Sequence, residues 1–210
     1  MTNFVSVNQV SDTMRKVVVL LFILAFVGQT QALPDGIGSV GDNGCACHGG
    51  SDDSTNVTLS GLPEIYNASE EYELTLTLES PVEQNDVKGG FRILISQGVL
   101  TGEVQEIDGG YTHNSSLNKQ RSWTINWTAP QQDDKLATFV IHGNAVNGNG
   151  QPTGDEWHSL SLAVAGPNYT GDVNAPDLGD TTGKITNRQF AVAGVGLLAI
   201  LTLAFFVIKD

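Results

Sequence analysis

Apolar residues in the middle of this chain recur at every second position, the period of a strand with one face in a core and one in water. The clearest run is Tyr72, Leu74, Leu76 and Leu78, alternating with Glu73, Thr75, Thr77 and Glu79. Trp123, Ile125 and Trp127 alternate likewise with Ser122, Thr124, Asn126 and Thr128. Val57 and Leu59 begin the series, and Ser159 to Val164 ends it. Phe91 to Ser96 is a further strand, opened by Gly89-Gly90 and closed by Gln97-Gly98. Val99 to Ile107 is a weaker one, ended by Asp108-Gly109-Gly110. Leu136 to Ile141 is apolar on both faces apart from Thr138, which predicts a central strand covered on both sides. Ala129-Pro130 stops the Trp-rich strand, because proline cannot donate to a ladder.

No convincing amphipathic helix interrupts these strands. The expected fold is all-β: an antiparallel immunoglobulin-like β-sandwich over residues 55–165. Its core is expected from Leu74, Leu76, Leu78, Phe91, Ile93, Trp123, Ile125, Trp127, Phe139, Ile141, Leu160 and Leu162.

The flanks read differently. Arg15-Lys16 precedes an apolar run, Val17 to Val27, and small residues follow at Thr30 and Ala32. That order describes a secretory signal peptide over residues 1–32, with Met1 or Met14 as the start. Residues 33–54 are rich in Gly, Asp and Ser and read as a loop. Residues 166–188 have little to bury and read as a flexible stalk. Phe190 to Ile208 is apolar and uncharged, about the length that spans a bilayer, so residues 189–210 are expected to be a transmembrane anchor. The chain is thus expected at the cell membrane, single-pass, with its main domain extracellular.

A formal net charge of −13 argues against nucleic acid as a partner and suits solubility on a cell surface. The membrane, through the C-terminal helix, and an unidentified extracellular ligand or surface component are the expected partners. Sequons at Asn56, Asn67, Asn114, Asn126 and Asn168 suit an exported, glycosylated surface.

The chemistry-bearing residues are concentrated in Cys45-Ala46-Cys47-His48, which holds both cysteines of the chain. Three outcomes stay open. Cys47-His48 is half of a haem-attachment motif, one residue short of Cys-x-x-Cys-His. Cys45, Cys47 and His48 could instead bind zinc or copper, with a fourth ligand from His113, His142 or His158. Oxidation to a strained bridge, or thiols carrying no ligand, is the third. Taken alone, His113 and His158 read as surface or loop histidines.

The Gly/Asn-rich run from His142 to Asp155 offers Asn144, Asn147, Asn149 and Asp155 as oxygen ligands for calcium. The competing reading is a tight turn in which Gly148 and Gly150 take positive φ. No Gly-x-Ser-x-Gly, His-Glu-x-x-His or phosphate-cradling glycine loop occurs, so no enzymatic activity is expected.

Several motifs together carry a resemblance: the Cys-Ala-Cys-His-Gly-Gly segment, Ser60-Gly61-Leu62-Pro63, Gly89-Gly90-Phe91, Trp127-Thr128-Ala129-Pro130 and the Asn147-Gly148-Asn149-Gly150 loop. The chain resembles the choice-of-anchor V domain proteins, which are similar in style to Reeler-type extracellular β-sandwiches. Over residues 40–165 the resemblance implies a surface-attached β-sandwich and no catalytic activity. Relatives often carry Cys-x-x-Cys-His where this chain has Cys-x-Cys-His. The expected function is adhesion or extracellular binding. The alternative is a surface redox, metal-binding or haem-binding protein using Cys45, Cys47 and His48.

Overall fold

The computed structural model describes residues 33–45 and 50–178, with positions 191, 194–198, 200 and 202 beyond them. Among these residues ten strands form two sheets. In chain order they are β1 (Gly50–Ser51), β2 (Asn56–Ser60), β3 (Glu71–Glu79), β4 (Gly89–Ile95), β5 (Val99–Gly102), β6 (Gln105–Ile107), β7 (Gly110–Thr112), β8 (Ser122–Thr128), β9 (Leu136–Ala145) and β10 (Glu156–Ala165). One sheet runs β1-β10-β9-β4-β7-β6 and the other β2-β3-β8-β5. All neighbours are antiparallel except β1 and β10.

Register follows from the alternation. Leu74 faces Ile125 and Leu76 faces Trp123 across β3 and β8, while Leu78 faces Val57 on β2. Directly opposed residues share a face, so these apolar sets form one buried surface. On the other sheet Ile93 pairs with Ile141 across β4 and β9. Phe91, Ile93, Phe139 and Ile141 close the core from that side, each no more than 1% exposed. Trp127 sits edge-on to Phe139 with ring centroids 5.1 Å apart, and Phe91 edge-on to Trp123 at 4.9 Å. The architecture is an antiparallel β-sandwich.

Two strand expectations are corrected. Val99 to Ile107 is not one strand: β5 pairs with β8, while β6 pairs with β7 in the opposite sheet. The chain changes sheets after Gly102, so neither half shows a long alternation. Leu160 and Leu162 are only half-buried beside the core. Their strand is partnered on its outer side only at Glu156 and Trp157 by β1 and at Ala165 by Ile65, which leaves the stretch between them an edge.

The larger sheet also has an outer face, and it is polar yet buried. Arg92 pairs with His142 and with Thr112, and His142 pairs with Ser159, so all four lie on that face. None is more than 9% exposed. Residues 33–45, expected to be a plain loop, cover them and include a 3-10 turn at Ser39–Gly41.

Arg92 holds that cover in place. Its Nε donates to Asp42 Oδ1 at 2.8 Å, and its Nη1 donates to the carbonyls of Ile37 and Ile107 at 3.2 and 2.6 Å. Nη2 reaches the Asp108 carbonyl at 3.3 Å. Thr112 Oγ1 accepts the Ile37 N–H at 3.1 Å while donating to the Phe91 carbonyl. A fully buried guanidinium needs such partners, and the covering segment supplies two of them.

After β10 the chain stays attached briefly: Gly166 N donates to Lys135 O and Asn168 N to Asp133 O, both at 3.0 Å. Positions 191, 194–198, 200 and 202 are helical, and Thr202 Oγ1 donates to Leu198 O at 2.7 Å. No helix among the described residues is long and apolar enough to cross a membrane. The signal segment 1–32 and most of the expected anchor 189–210 lie outside the described residues.

Candidate functional site

Where residues 33–45 pass over the start of β4 and the end of β9, they border a partly open cavity of about 290 Å³. Leu33, Ile37 and Val40 line it from the covering segment, and Val87, Phe91 and Val146 from the sheet side. Leu33 and Val40 are 49% and 71% exposed, so they also meet solvent. Cys45, His113, Asn118, Asn144, Gln151 and Asp155 add polar groups to the wall.

His113, expected as a surface or loop histidine, lies in a loop but is buried. It follows β7, is 8% exposed, and lies over Gly90. Its Nδ1 accepts the Phe91 N–H at 3.1 Å, which assigns the proton of the neutral ring to Nε2. A Cβ on Gly90 would sit 2.3 Å from His113 Cε1. Gly90→Ala should therefore displace the ring and cost about 1–3 kcal/mol, measured by urea denaturation. An unmoved His113 ring resonance would contradict this packing.

Asn118 and Asn144 are 3% and 7% exposed, and each keeps a buried Oδ1 with no hydrogen-bond partner. Asn118 Nδ2 donates to Pro34 O at 3.4 Å, which orients its amide and leaves the carbonyl end as the orphan. Buried polar atoms are nearly always satisfied, so two orphans in one wall mark it as unusual.

Cys45 is 5% exposed in this wall. Cys47 and His48 lie outside the described residues, so the haem, zinc or copper and bridge alternatives are compared only at Cys45. Of the three candidate fourth ligands, His113 alone lines the cavity. His158, on β10, has Nε2 3.8 Å from Asp53 Oδ1.

His142 is fully engaged elsewhere. Its Nδ1 accepts from Ser159 Oγ at 2.6 Å, and Nε2 donates to the Asp42 carbonyl at 3.1 Å. The pair has the separation of a nucleophile and its base. Both residues are buried and neither lines the cavity, so the pair serves to join the covering segment to the sheet.

Desolvation holds the His142 pKa below its ordinary 6.5, helped by Arg92 and opposed by the carbonyl and charge of Asp42. The unfolded chain then binds a proton that the folded one resists. Stability should be complete above about pH 6.5 and fall as pH drops below it, through the lowered folded-state value, by at most ~1.4 kcal/mol per pH unit. Denaturation curves between pH 7.5 and 5 check this. The fall should be shallower in His142→Gln, and an unchanged slope would contradict it.

Three of the residues proposed for calcium make turn hydrogen bonds. Asn144 belongs to β9, whereas Asn147, Asn149 and Asp155 lie in or beside the following loop. Asn147 Oδ1 accepts the Asn149 N–H, Asn149 Oδ1 accepts the Gln151 N–H, and Asp155 Oδ1 accepts the Asn147 N–H. Gly148 and Gly150 take φ of 70° and 73°, as the turn reading requires. Among the described residues no group of three His, Cys, Asp or Glu side chains could hold a metal ion.

Sequence reasoning named His113 only as a possible fourth ligand and missed its burial, along with Asn118 and the covering role of residues 33–45. The one available signal was Arg92, a lone cation inside Gly-Gly-Phe-Arg-Ile-Leu-Ile, which called for buried partners.

No protein-family model matches the chain, and no curated protein sequence matches it. Solved structures similar to it include the Reelin-N domain of F-spondin, at 15% identity over 60% of this chain and 94% of that one, with a TM-score of 0.40. The human F-spondin reeler domain (fragment 1) is similar at 13% identity over 58% of this chain and 95% of its own, with a TM-score of 0.38. A conjugative transposon lipoprotein from Bacteroides eggerthii aligns at 10% identity over 52% of this chain and 97% of its own, with a TM-score of 0.34. Scores this low assign neither family nor activity.

Proposed function

We propose that this chain is an exported, surface-tethered β-sandwich of immunoglobulin-like and Reeler-like style that binds an extracellular component. The supporting observation is the cavity of about 290 Å³ beneath residues 33–45, lined mostly by apolar groups with a few polar side chains. Clefts that bind small molecules are mostly apolar with a few convergent polar groups. The sequons and the apolar C-terminal run support display outside the cell on a single anchor. Adhesion through this face, and kinship with the choice-of-anchor V proteins, belong to the same reading.

The test is titration of the full-length chain with tryptophol, an uncharged bicyclic alcohol, followed by amide NMR shifts. Gly89, Gly90, Asn118 and Asn144 should move, and Val146→Trp, which fills the cavity, should abolish the response. Shifts scattered over the sandwich and unchanged in Val146→Trp would sink the proposal.

One observation favours a second reading: Cys45 and His113 line the same cavity. A redox, metal-carrying or haem-carrying role through Cys45, Cys47 and His48 would put its cofactor there. A Soret band, or stoichiometric zinc or copper in the purified chain, would replace the first reading with this one. A colourless, metal-free and thiol-free protein would remove it.

A further inference from the structure

Strand β10 leaves part of its outer side open. Asp52 N donates to the Trp157 carbonyl and Tyr66 N to the Ala165 carbonyl, both at 3.1 Å. Backbone groups alternate sides along a strand, so Ser159, Ser161 and Ala163 aim their N–H and C=O groups the same way as those two. Among the described residues no strand or bridge meets these three on that side. Such an edge is ordinarily blunted by shortness, a bulge, Lys or Pro. The edge strands β2, β5 and β6 are five, four and three residues long. Strand β10 has ten residues, pairs with β9 without a break in register, and carries neither Lys nor Pro. Leu160 and Leu162 lie on its core-facing side, opposite Ile141 and Phe139, and stay half-buried beside the opening.

Both ends of the opening are acidic. Asp52, Asp53 and Glu156 stand where β1 pairs with β10, and Glu64 precedes the Ile65 bridge. Residues 50–65 and 156–168 contain no Lys or Arg. A second copy of this chain would bring the same charges to the edge, on a molecule whose formal net charge is −13. We infer that this edge takes an extended segment of a basic partner protein, added as a further strand of the sheet. The segment places two apolar residues beside Leu160 and Leu162 and small polar ones beside Ser159, Ser161 and Ala163. Lys or Arg at its two ends meets Asp53 and Glu64. In strand addition the main-chain hydrogen bonds supply affinity, while alternate side chains and complementary charge supply specificity.

The experiment titrates the full-length chain with the peptide acetyl-Lys-Lys-Thr-Ile-Thr-Ile-Thr-Lys-Lys-amide and, separately, with its counterpart carrying Glu in place of every Lys. Amide shifts and hydrogen exchange read the edge. The lysine peptide should slow exchange at Ser159, Ser161 and Ala163 and bind about tenfold or more tightly than the glutamate peptide. Ser161→Pro removes an N–H that the β9 ladder does not use, so it should leave the fold intact and abolish binding. Asp53→Asn combined with Glu64→Gln should weaken the lysine peptide about fivefold, the effect of two exposed ion pairs. Equal binding of the two peptides would overturn the basic partner. No slowing at the three amides with either peptide would overturn the edge as a site. Slowing that needs no peptide and grows with protein concentration would give the edge to a second copy and overturn the proposal as well.

Discussion

Replacing Arg92 with Met is expected to destabilise the domain by about 4 kcal/mol and release residues 33–45 from the sheet. The side chain is completely buried and donates to Asp42 Oδ1 and to three backbone carbonyls. Removing it strands the Ile37, Ile107 and Asp108 carbonyls, at about 1–3 kcal/mol for each that stays buried. Asp42 matters less, because its side chain is 31% exposed and can be hydrated once the pair is broken. Asp42→Asn keeps an acceptor for Nε and should cost only about 1 kcal/mol. Lysine cannot rescue Arg92, since one ammonium cannot reproduce the planar fork that meets several acceptors at once. Urea denaturation of the three variants gives the ranking, and equal losses for Arg92→Met and Asp42→Asn would contradict it.

Trp127→Ala is the second large effect, about 3–5 kcal/mol. The indole is fully buried and lies edge-on to Tyr66 and Phe139, with ring centroids at 5.8 and 5.1 Å. It also stacks on Tyr72 at 5.6 Å, and its Nε1 donates to Gln97 O at 3.1 Å. Truncation removes aromatic contacts to both sheets and leaves the Gln97 carbonyl without this donor. Trp127→Phe should recover more than half of the loss, because the ring contacts return and only the hydrogen bond is missing. Thermal unfolding checks both. An alanine variant within about 1 kcal/mol of the parent would mean that the two sheets do not meet at this ring.

The strands whose inner residues meet these rings were legible in the sequence for a simple reason. Burial on one side and water on the other writes a period of two, and β3 and β8 each keep it throughout. Strand β9 is central, between β10 and β4, as its apolar run suggested, but Leu136, Thr138 and Val140 are only half-buried and both faces are covered only from Ile141 to Ala145. What hid the rest was the third layer. Residues 33–45 carry almost no periodic signal, and they bury the polar outer face formed by Arg92, Thr112, His142 and Ser159. Polar residues at alternate positions read as solvent-facing unless something is known to cover them.

The burial of His113 was hidden for a related reason: it follows β7, only three residues long, too short for alternation to assign a face. The Asn/Gly loop was legible as a turn because positive φ at Gly148 and Gly150 is a local property. Cys45 drew attention in the sequence, and the structure puts it in the cavity lining. Its position beside His113 in one cavity is a tertiary fact that spacing alone could not supply.

Everything claimed for the cavity depends on residues 33–45 lying on the sheet in solution. Gly44 packs against the Trp157 indole, close enough that a Cβ there would be 2.5 Å from Cη2, and the Ile37 amide is bonded to Thr112 Oγ1. Proton NMR of the full-length chain reads both. Ring-current-shifted Gly44 α-protons with nuclear Overhauser contacts to the Trp157 ring, and a slowly exchanging Ile37 amide, are the predicted result. Random-coil shifts and fast exchange throughout residues 33–45 would contradict the account.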